Sequence, residues 1–482
     1  MARSQTPSYV LTLPLKTTIS DISALEKYFE LSRKYYNAIL GKLNNRVKIM
    51  QESREFNKLR KLPEGKERTN AFKNLEKKYG LRGTAINKLI TSLRTKSKDF
   101  KVLGSHITIQ LQLRAMQSIN KVRFEDGKQI HFIRYNEMTS IQGSNNEQSI
   151  RYRDGIVEFK NLRLPVIIKN NDVYAQKAIQ DRVKFCRILR RFSKNKTKYY
   201  VQLCLEGIPP KKKHELGKGE VGLDIGTQTI AIVSDNITKL LELAPSINRI
   251  DKEKRVSLRK LDRQRRANNP NKYNKDGTIK KGNRDKWVKS NNYLKTQSKL
   301  RDIQRRISNK RKQEHDKLAN YILSLGNIIK VETMNYKGLQ KRNKNTEKNN
   351  KGKFKKKKRF GKSLSNKSPS MLLTILNKKL KYNNEKLYKI DTKKCKASQY
   401  NHFTDKYNKK ELKDRWNKDI NIQRDLYSAF LIMNTVGKKL DKIDRDKCIE
   451  AYDNFKILHD KEISRLKKLK KNGYKLISSM GI

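Results

Sequence analysis

Residues 9–16, YVLTLPLK, alternate partly between apolar and polar side chains, which predicts a β-strand. From Ser20 to about Lys98 the spacing becomes helical. Ile22, Leu25, Tyr28, Phe29 and Leu31 form one face, and Ala85, Ile86, Leu89, Ile90 and Leu93 another, the second opened by the start signal Gly83–Thr84. Strand patterns return in IHFIRY, SIRYRDGIVEFK, LRLPVII, RVKFCRILRRF and KYYVQLCLEG, the last two forming a hairpin around SKNKTK. A lone strand, then helices, then strands predicts a β-rich domain carrying a helical insert. The Lys-rich turn IPPKKKHELGKGE closes it near residue 218.

Beyond that turn the pattern changes. GLDIGTQTIAIVSD reads as two strands joined by Gly-Thr-Gln-Thr. Long basic helices are predicted over Ile250–Ala267 and Asn291–Leu325, interrupted by the Asn-, Pro- and Gly-containing loop ANNPNKYNKDGTIKKGNRDKW and stopped by Gly326. NIIKVETMN is a buried strand; strand KLYKID, a Lys-rich connector and helix QRDLYSAFLIMN follow. From about Gly437 the chain reads as an amphipathic helical tail bearing Phe455, Ile457, Leu458, Ile463 and Leu466. Residues 341–367 are low in complexity and dense in Lys, fitting either a solvated linker or a phosphate-tracking loop ordered by its ligand. No internal repeat is present.

Length and charge narrow the function class. The 482 residues suggest three or four domains at roughly 100–200 residues each. A hydrophobic share of 35% in periodic blocks predicts a packed core. Lys and Arg outnumber Asp and Glu by 115 to 47, a net charge of +68 spread over the whole chain, which predicts nucleic acid as the counter-charge. No apolar run approaches the ~20 residues a membrane span needs, and MARSQTPSYV has no signal-peptide core, so a cytoplasmic protein without a membrane partner is expected. Cys186, Cys204, Cys395 and Cys448 form no close pair, and neither a disulfide framework nor a Cys-x-x-Cys zinc site can be read from them.

Three acids stand out against this basic background. Asp224 sits mid-strand, where alternation sends Leu223 and Ile225 to one face and Asp224 to the other. Glu332 ends the strand I-I-K-V-E, and Asp425 begins a helix with the apolar stripe Leu426, Ala429, Phe430 and Met433. Each acid costs desolvation energy unless a cation sits beside it. Carboxylates suit Mg²⁺ or Mn²⁺. If the three converge, they are suited to hold two such ions about 3.5–4 Å apart and hydrolyse a phosphodiester.

Together, G-L-D-I-G-T-Q-T-I-A-I, V-E-T-M-N-Y-K-G-L and Q-R-D-L-Y-S-A-F resemble, in order, the three RuvC motifs of the TnpB family, transposon-encoded RNA-guided endonucleases related to type V CRISPR effectors. The resemblance implies an α+β multidomain fold: an RNase H-like (RuvC) α/β nuclease domain, a β-barrel wedge domain and an inserted helical recognition domain. It implies a wedge over 1–17 and 110–216, recognition helices over 18–109, nuclease over 217–391 and 423–482, and a reduced target-nucleic-acid-binding subdomain over 392–422. Asp224, Glu332 and Asp425 are then the catalytic residues and the ligands of two Mg²⁺ (or Mn²⁺) ions. The implied partners are a guide RNA from the transposon end and double-stranded DNA, cut beside a short motif read by protein. A bacterial cytoplasmic protein, nucleoid-associated when bound to DNA, follows.

The chain departs from that pattern where the family carries a zinc ribbon. In KASQYNHFTDKYNKKELKDRW, Asn401 and Thr404 occupy the first knuckle's cysteine positions, and Cys395 with His402 cannot close a tetrahedral site. No zinc is expected; packing of Tyr400, Phe403, Leu412 and Trp416 is expected to hold the segment instead. By the same resemblance Asn87 and Lys88 are candidates for reading the adjacent motif, with Tyr35, Tyr36 and Asn37 also candidates to face DNA. Arg259, Arg263, Arg265 and Arg266 of LRKLDRQRR are candidates for gripping the RNA–DNA hybrid by its backbone. The alternative is a binder that does not cut: a nuclease-inactive RNA-guided DNA-binding repressor, or an RNA-binding protein. A transposase reading lacks a helix-turn-helix signature.

Overall fold

The computed structural model describes residues 6–482 apart from 126, 128, 194–195, 211–215, 281, 283–284, 342–349, 351–359, 410, 412–413 and 438–439. Most of the Lys-rich 341–367 stretch therefore lies outside the described residues. The chain divides into two units, 1–212 and 213–482.

In the first unit strand β1 (Ser8–Pro14) leads into helix α1 (Ile19–Glu52), whose start is fixed by a capping box between Thr18 and Asp21. Helices α2 (Arg54–Arg60), α3 (Lys66–Lys78), α4 (Thr84–Thr95) and α5 (Ser105–Phe124) follow. Leu25, Phe29, Tyr36, Leu40, Leu43, Val47 and Met50 recur at helical spacing along α1 and are all buried. Strands β2 (Ser140–Gln142), β3 (Ile150–Arg153), β4 (Ile156–Phe159), β5 (Leu162–Pro165), β6 (Val183–Ser193) and β7 (Lys196–Glu206) complete the unit.

They form an open four-stranded sheet in the order β1-β7-β6-β2 and a separate three-stranded meander β3-β4-β5. The bridge Leu15–Val166 joins the two. The expected closed barrel is thus not what the described residues form: β1 and β2 remain edges of their sheet. IHFIRY, expected as a strand, is irregular. The physical reason is local, since the Asn37 amide accepts from the Ile133 N–H at 3.0 Å and donates to the Ile133 C=O at 2.8 Å, satisfying groups that a ladder would otherwise use. Helix α5 runs through residue 110, where the sequence suggested a boundary.

The second unit is a mixed sheet with helices on both faces. Strands β8 (Glu220–Ile225), β9 (Thr229–Ser234) and β10 (Ile237–Glu242) make an antiparallel meander. Helices α6 (Ile247–Ala267) and α7 (Asn291–Leu325) then carry the chain to β11 (Ile328–Glu332), which lies parallel to β8. Helix α8 (Pro369–Lys381) leads to β12 (Leu387–Ile390), parallel to β11, giving the order β10-β9-β8-β11-β12. Helices α9 (Arg424–Met433) and α10 (Arg445–Lys471) end the unit.

Strand alternation assigns the two faces. Leu223, Ile225 and Val331 point into a core completed by Ala319, Ile322 and Leu323 of α7 and Leu372, Leu376 and Leu380 of α8. The opposite face packs Ala231, Val233 and Leu240 against α9 and α10 through Phe430, Phe455 and Ile463. In the tail helix Ile457 departs from its expected place on the apolar face, standing 68% exposed.

Candidate active site

Because Leu223 and Ile225 face α7 and α8, Asp224 faces α9. The register pairs Val331 with Leu223 and Lys330 with Gly222. Glu332 therefore emerges beside Asp224, on the same face. Helix α9 crosses this face antiparallel to β8. Eight helical residues at ~1.5 Å and four strand residues at ~3.3 Å cover nearly the same length, so Asp425 stands at the Asp224 end when Met433 stands at the other.

Close approach of helix and strand requires Gly222. A Cβ there would lie 2.0 Å from the Ala429 carbonyl oxygen and 2.6 Å from the Met433 nitrogen. Sequence reading placed Asp224 between glycines without showing that the first of them is what admits the helix carrying Asp425.

The three carboxylates are half-buried, each retaining an opening to solvent. Burial raises the proton affinity of Asp224, and the negative charges of Asp425 and Glu332 raise it further; Arg424 and Arg415 pull it back. Burial also raises Glu332. Tyr336, whose hydroxyl donates to the Ile225 carbonyl at 3.3 Å, is pushed up by burial and then by the charges of Asp224 and Glu332. So the three acids from three distant segments share one electric field. As their side chains stand, however, no three His, Cys, Asp or Glu among the described residues are grouped closely enough to enclose a metal ion. The donor set is all hard oxygen, which fits Mg²⁺ or Mn²⁺, and closing on an ion calls for rotation of these largely buried side chains.

Arg415 and Arg424 are functional candidates that the sequence analysis did not single out. They stand 3.6 Å and 3.7 Å from Asp425 Oδ1. Arg424 adjoins Asp425 in the Q-R-D motif, a signal that was present. Arg415 arrives through folding: a tight antiparallel ladder, Trp416–Gln423 and Asn417–Ile422, folds it back so that the Arg424 N–H donates to its carbonyl at 2.9 Å. The chain end braces that ladder, because Trp416 Nε1 donates to the Gly481 carbonyl at 2.8 Å and Gln423 Nε2 to the Met480 carbonyl at 3.2 Å. Gly481 has φ +72°, and a Cβ there would meet Arg415 Cβ at 2.3 Å.

At the opposite end of α9 the charges are paired. Lys330 Nζ donates to the carbonyls of Met433 at 2.7 Å and Thr435 at 2.8 Å and pairs with Glu220 at 2.9 Å. Lys447 pairs with the same Glu220 at 2.8 Å. Burial alone would raise Glu220, but the two ammonium groups outweigh it and its pKa ends lowered.

In the 392–422 segment Cys395 Sγ donates to the Leu440 carbonyl at 3.4 Å, and His402 Nδ1 lies 2.6 Å from the Tyr427 hydroxyl. Tyr400 and Trp416 pack with the α9 core. Phe403 is 42% exposed and meets Tyr452 edge-on at 4.7 Å; Leu412 lies outside the described residues.

The candidate nucleic-acid contacts fall into two groups. Asn87, Lys88, Arg259 and Arg263 are exposed. The others are engaged internally. Tyr35 is buried with its hydroxyl donating to the Ile90 carbonyl at 2.9 Å, Tyr36 is buried against Ser118 at 2.9 Å, and Asn37 holds Ile133. Arg265 and Arg266 pair with Asp262 at 2.8 Å and 3.0 Å, and both lie over the Tyr273 ring. No helix among the described residues is long and apolar enough to cross a membrane.

No protein-family model and no curated protein matches the chain. Among solved structures, the chain is similar to one in the cryo-EM structure of the Cas12f1–sgRNA–target DNA complex, at 10% identity over 88% of this chain and 98% of that one, with a TM-score of 0.41. A chain of the cryo-EM CRISPR-Cas12f ternary complex matches at 10% identity over 87% and 83%, with a TM-score of 0.26. Likeness at this level establishes no common fold.

Proposed function

We propose that the chain is an RNA-guided endonuclease that cuts double-stranded DNA beside a short motif read by protein, through metal-dependent phosphodiester hydrolysis. One observation carries the chemistry: Asp224, Glu332 and Asp425, far apart in sequence, share one electric field at one sheet end of a chain whose net charge is +68. The mixed sheet with helices on both faces supports an RNase H-like nuclease unit. The guide RNA, its transposon-end origin and the DNA target enter from the resemblance of the three motifs to the TnpB family.

Asp224, Glu332 and Asp425 would hold Mg²⁺ or Mn²⁺, two ions in this reading. When bound, the metal supplies an activated water and stabilises the departing phosphodiester oxygen. The chain's own part is electrostatic and positional. Asp224 must lose its proton to serve as a ligand, which Arg415 and Arg424 favour by lowering its proton affinity. The same guanidiniums stand where a phosphate bound against Asp425 would meet them.

The test is sequencing of RNA that copurifies, followed by cleavage of a plasmid matched to it in Mg²⁺. Cleavage that disappears in Asp224→Ala supports the reading, and cleavage unchanged by that substitution overturns it. A second reading, guided binding without cutting, is favoured by the absence among the described residues of three acids grouped to enclose an ion. Sequence-matched binding with no cleavage in Mg²⁺ or Mn²⁺ would establish it.

A further inference from the structure

A cavity of about 550 Å³ opens in the first unit between the end of α1, α2, α3 and the end of α5. That volume lies within the about 300–1,000 Å³ typical of small-ligand sites. Its floor is fixed. Glu76, 5% exposed, holds the buried Arg123 at 2.6 Å and also pairs with the half-exposed Arg82, so one carboxylate is shared between two guanidiniums.

Its walls are aromatic. Phe56 and Phe72 meet edge-on with centroids 5.6 Å apart, and Phe124, 68% exposed, carries Arg123 over its ring at 4.5 Å. The remaining cations of the lining, Arg60, Arg68 and Lys73, face one further acid, Glu64, which is itself 96% exposed and stands 4.0 Å from Arg68. Arg68 also lies 5.9 Å from the Phe72 ring centroid, and aromatic rings set among cations that outnumber the acids of the lining match one chemistry: a planar heteroaromatic ring joined to a phosphate.

We propose that this cavity takes a single unstacked nucleotide of a single-stranded nucleic acid, its base against Phe56, Phe72 and Phe124 and its phosphate on Arg60, Arg68 and Lys73. A paired base in a duplex has both faces covered by its neighbours, so a duplex is excluded. RNA and DNA share the ligand chemistry and separate in the test. The site belongs to residues 1–212 and its occupation involves no cleavage, so it stands or falls apart from the carboxylate site.

The full-length protein, stripped of copurifying nucleic acid at high salt, is mixed in EDTA with short single strands carrying one 4-thiouridine (RNA arm) or one 4-thiothymidine (DNA arm) and irradiated. Crosslinks are expected within 51–73 and 123–124. Crosslinking in one arm alone assigns that nucleic acid; in both, the site takes either. Phe124→Ala is expected to weaken capture roughly five- to 150-fold, the range for loss of one base–aromatic stack. Because Phe124 is largely exposed, an unaltered circular dichroism spectrum is expected, and Arg60→Gln gives a second exposed variant that should also weaken capture. Crosslinks confined to other segments, parental capture by both variants, or a blunt duplex competing as well as a single strand would each overturn the proposal.

Discussion

The two ends of α9 lie over the same two strands and differ in their electrostatics. At the C-terminal end, β11 offers Lys330 and β8 offers Glu220; opposite charges meet, Lys330 also binds the carbonyls of Met433, the last helical residue, and of Thr435 just beyond it, and Lys447 adds a second cation to Glu220. At the N-terminal end the same strands offer Glu332 and Asp224, beneath Asp425, and burial together with the charges of Asp425 and Glu332 raises the proton affinity of Asp224. Lys and Arg number 115 in this chain, so a shortage of cations does not explain the contrast. Arg415 and Arg424 approach Asp425 yet leave Asp224 well above the usual carboxylate range. The paired end builds the fold, and the acidic end, on the function proposed above, is held for a ligand.

Breaking the unpaired end has the largest expected effect. Asp224→Asn removes a proposed metal ligand, worth several kcal/mol in the transition state, so Mg²⁺-dependent cleavage should fall roughly 10³-fold or more. Stability should move the other way. A carboxyl whose folded pKa is raised contributes stability below its unfolded pKa, and that contribution is lost as pH rises through the folded value. At neutral pH without metal the neutral asparagine should therefore raise the melting temperature. A melting temperature that falls would show that Asp224 is structural.

Breaking the paired end comes next. Lys330→Met leaves the Met433 and Thr435 carbonyls without their buried donor and Glu220 with Lys447 alone. Loss of one partner from a buried pair costs about 3–5 kcal/mol, to be read from urea unfolding. Lys330→Met with Glu220→Gln should recover part of that cost, since removing both charges leaves neither uncompensated. A double variant less stable than the single would sink the account of this end as an ion-paired clamp.

Arg415 sharpens the comparison, because it is what partly offsets the unpaired end. Arg415→Gln removes a charge that lowers the Asp224 pKa, so that pKa should rise further and the acid limb of the cleavage profile should shift to higher pH. Cleavage at neutral pH should drop roughly 10- to 100-fold, the size usual for groups that tune a metal ligand. Replacing Gly481 by Val should imitate it weakly, since a side chain there collides with Arg415. An acid limb that stays in place while the rate falls would mean that Arg415 acts on the substrate alone.

How much of this was legible in the sequence depends on the range over which each signal acts. Alternation around Asp224 and helical spacing after Asp425 are local, and both are found in the structure. The hairpin around SKNKTK forms as β6 and β7 for the same reason. Signals that need a partner were misread. IHFIRY has strand composition, but the Asn37 amide takes its backbone groups, and Asn37 sits about a hundred residues earlier. Asn37, Tyr35 and Tyr36 looked suited to DNA because polar and amphipathic groups on a helix suit either solvent or a distant neighbour, and spacing alone does not separate the two. Arg415 could not be placed beside Asp425 without the ladder that folds it back.

The smallest expected effect contrasts paired and unpaired charge within one helix. On α6, Arg265 is tied to Asp262 and lies 5.9 Å from the Tyr273 ring centroid and 5.5 Å from that of Trp287, whereas Arg263 is exposed and has no partner among the described residues. If Arg263 tracks a phosphate, Arg263→Gln should weaken nucleic-acid binding about equally for all sequences and lower the slope of log affinity against log salt by about 1, with unfolding unchanged. Arg265→Gln should do the reverse. It loses two cation–π contacts worth about 0.5–1 kcal/mol each and loosens the packing of Tyr273 and Trp287, while the salt slope stays close to the parent's. Equal slopes in all three proteins would remove Arg263 from the interface, and a destabilised Arg263→Gln would make its exposed side chain part of the fold.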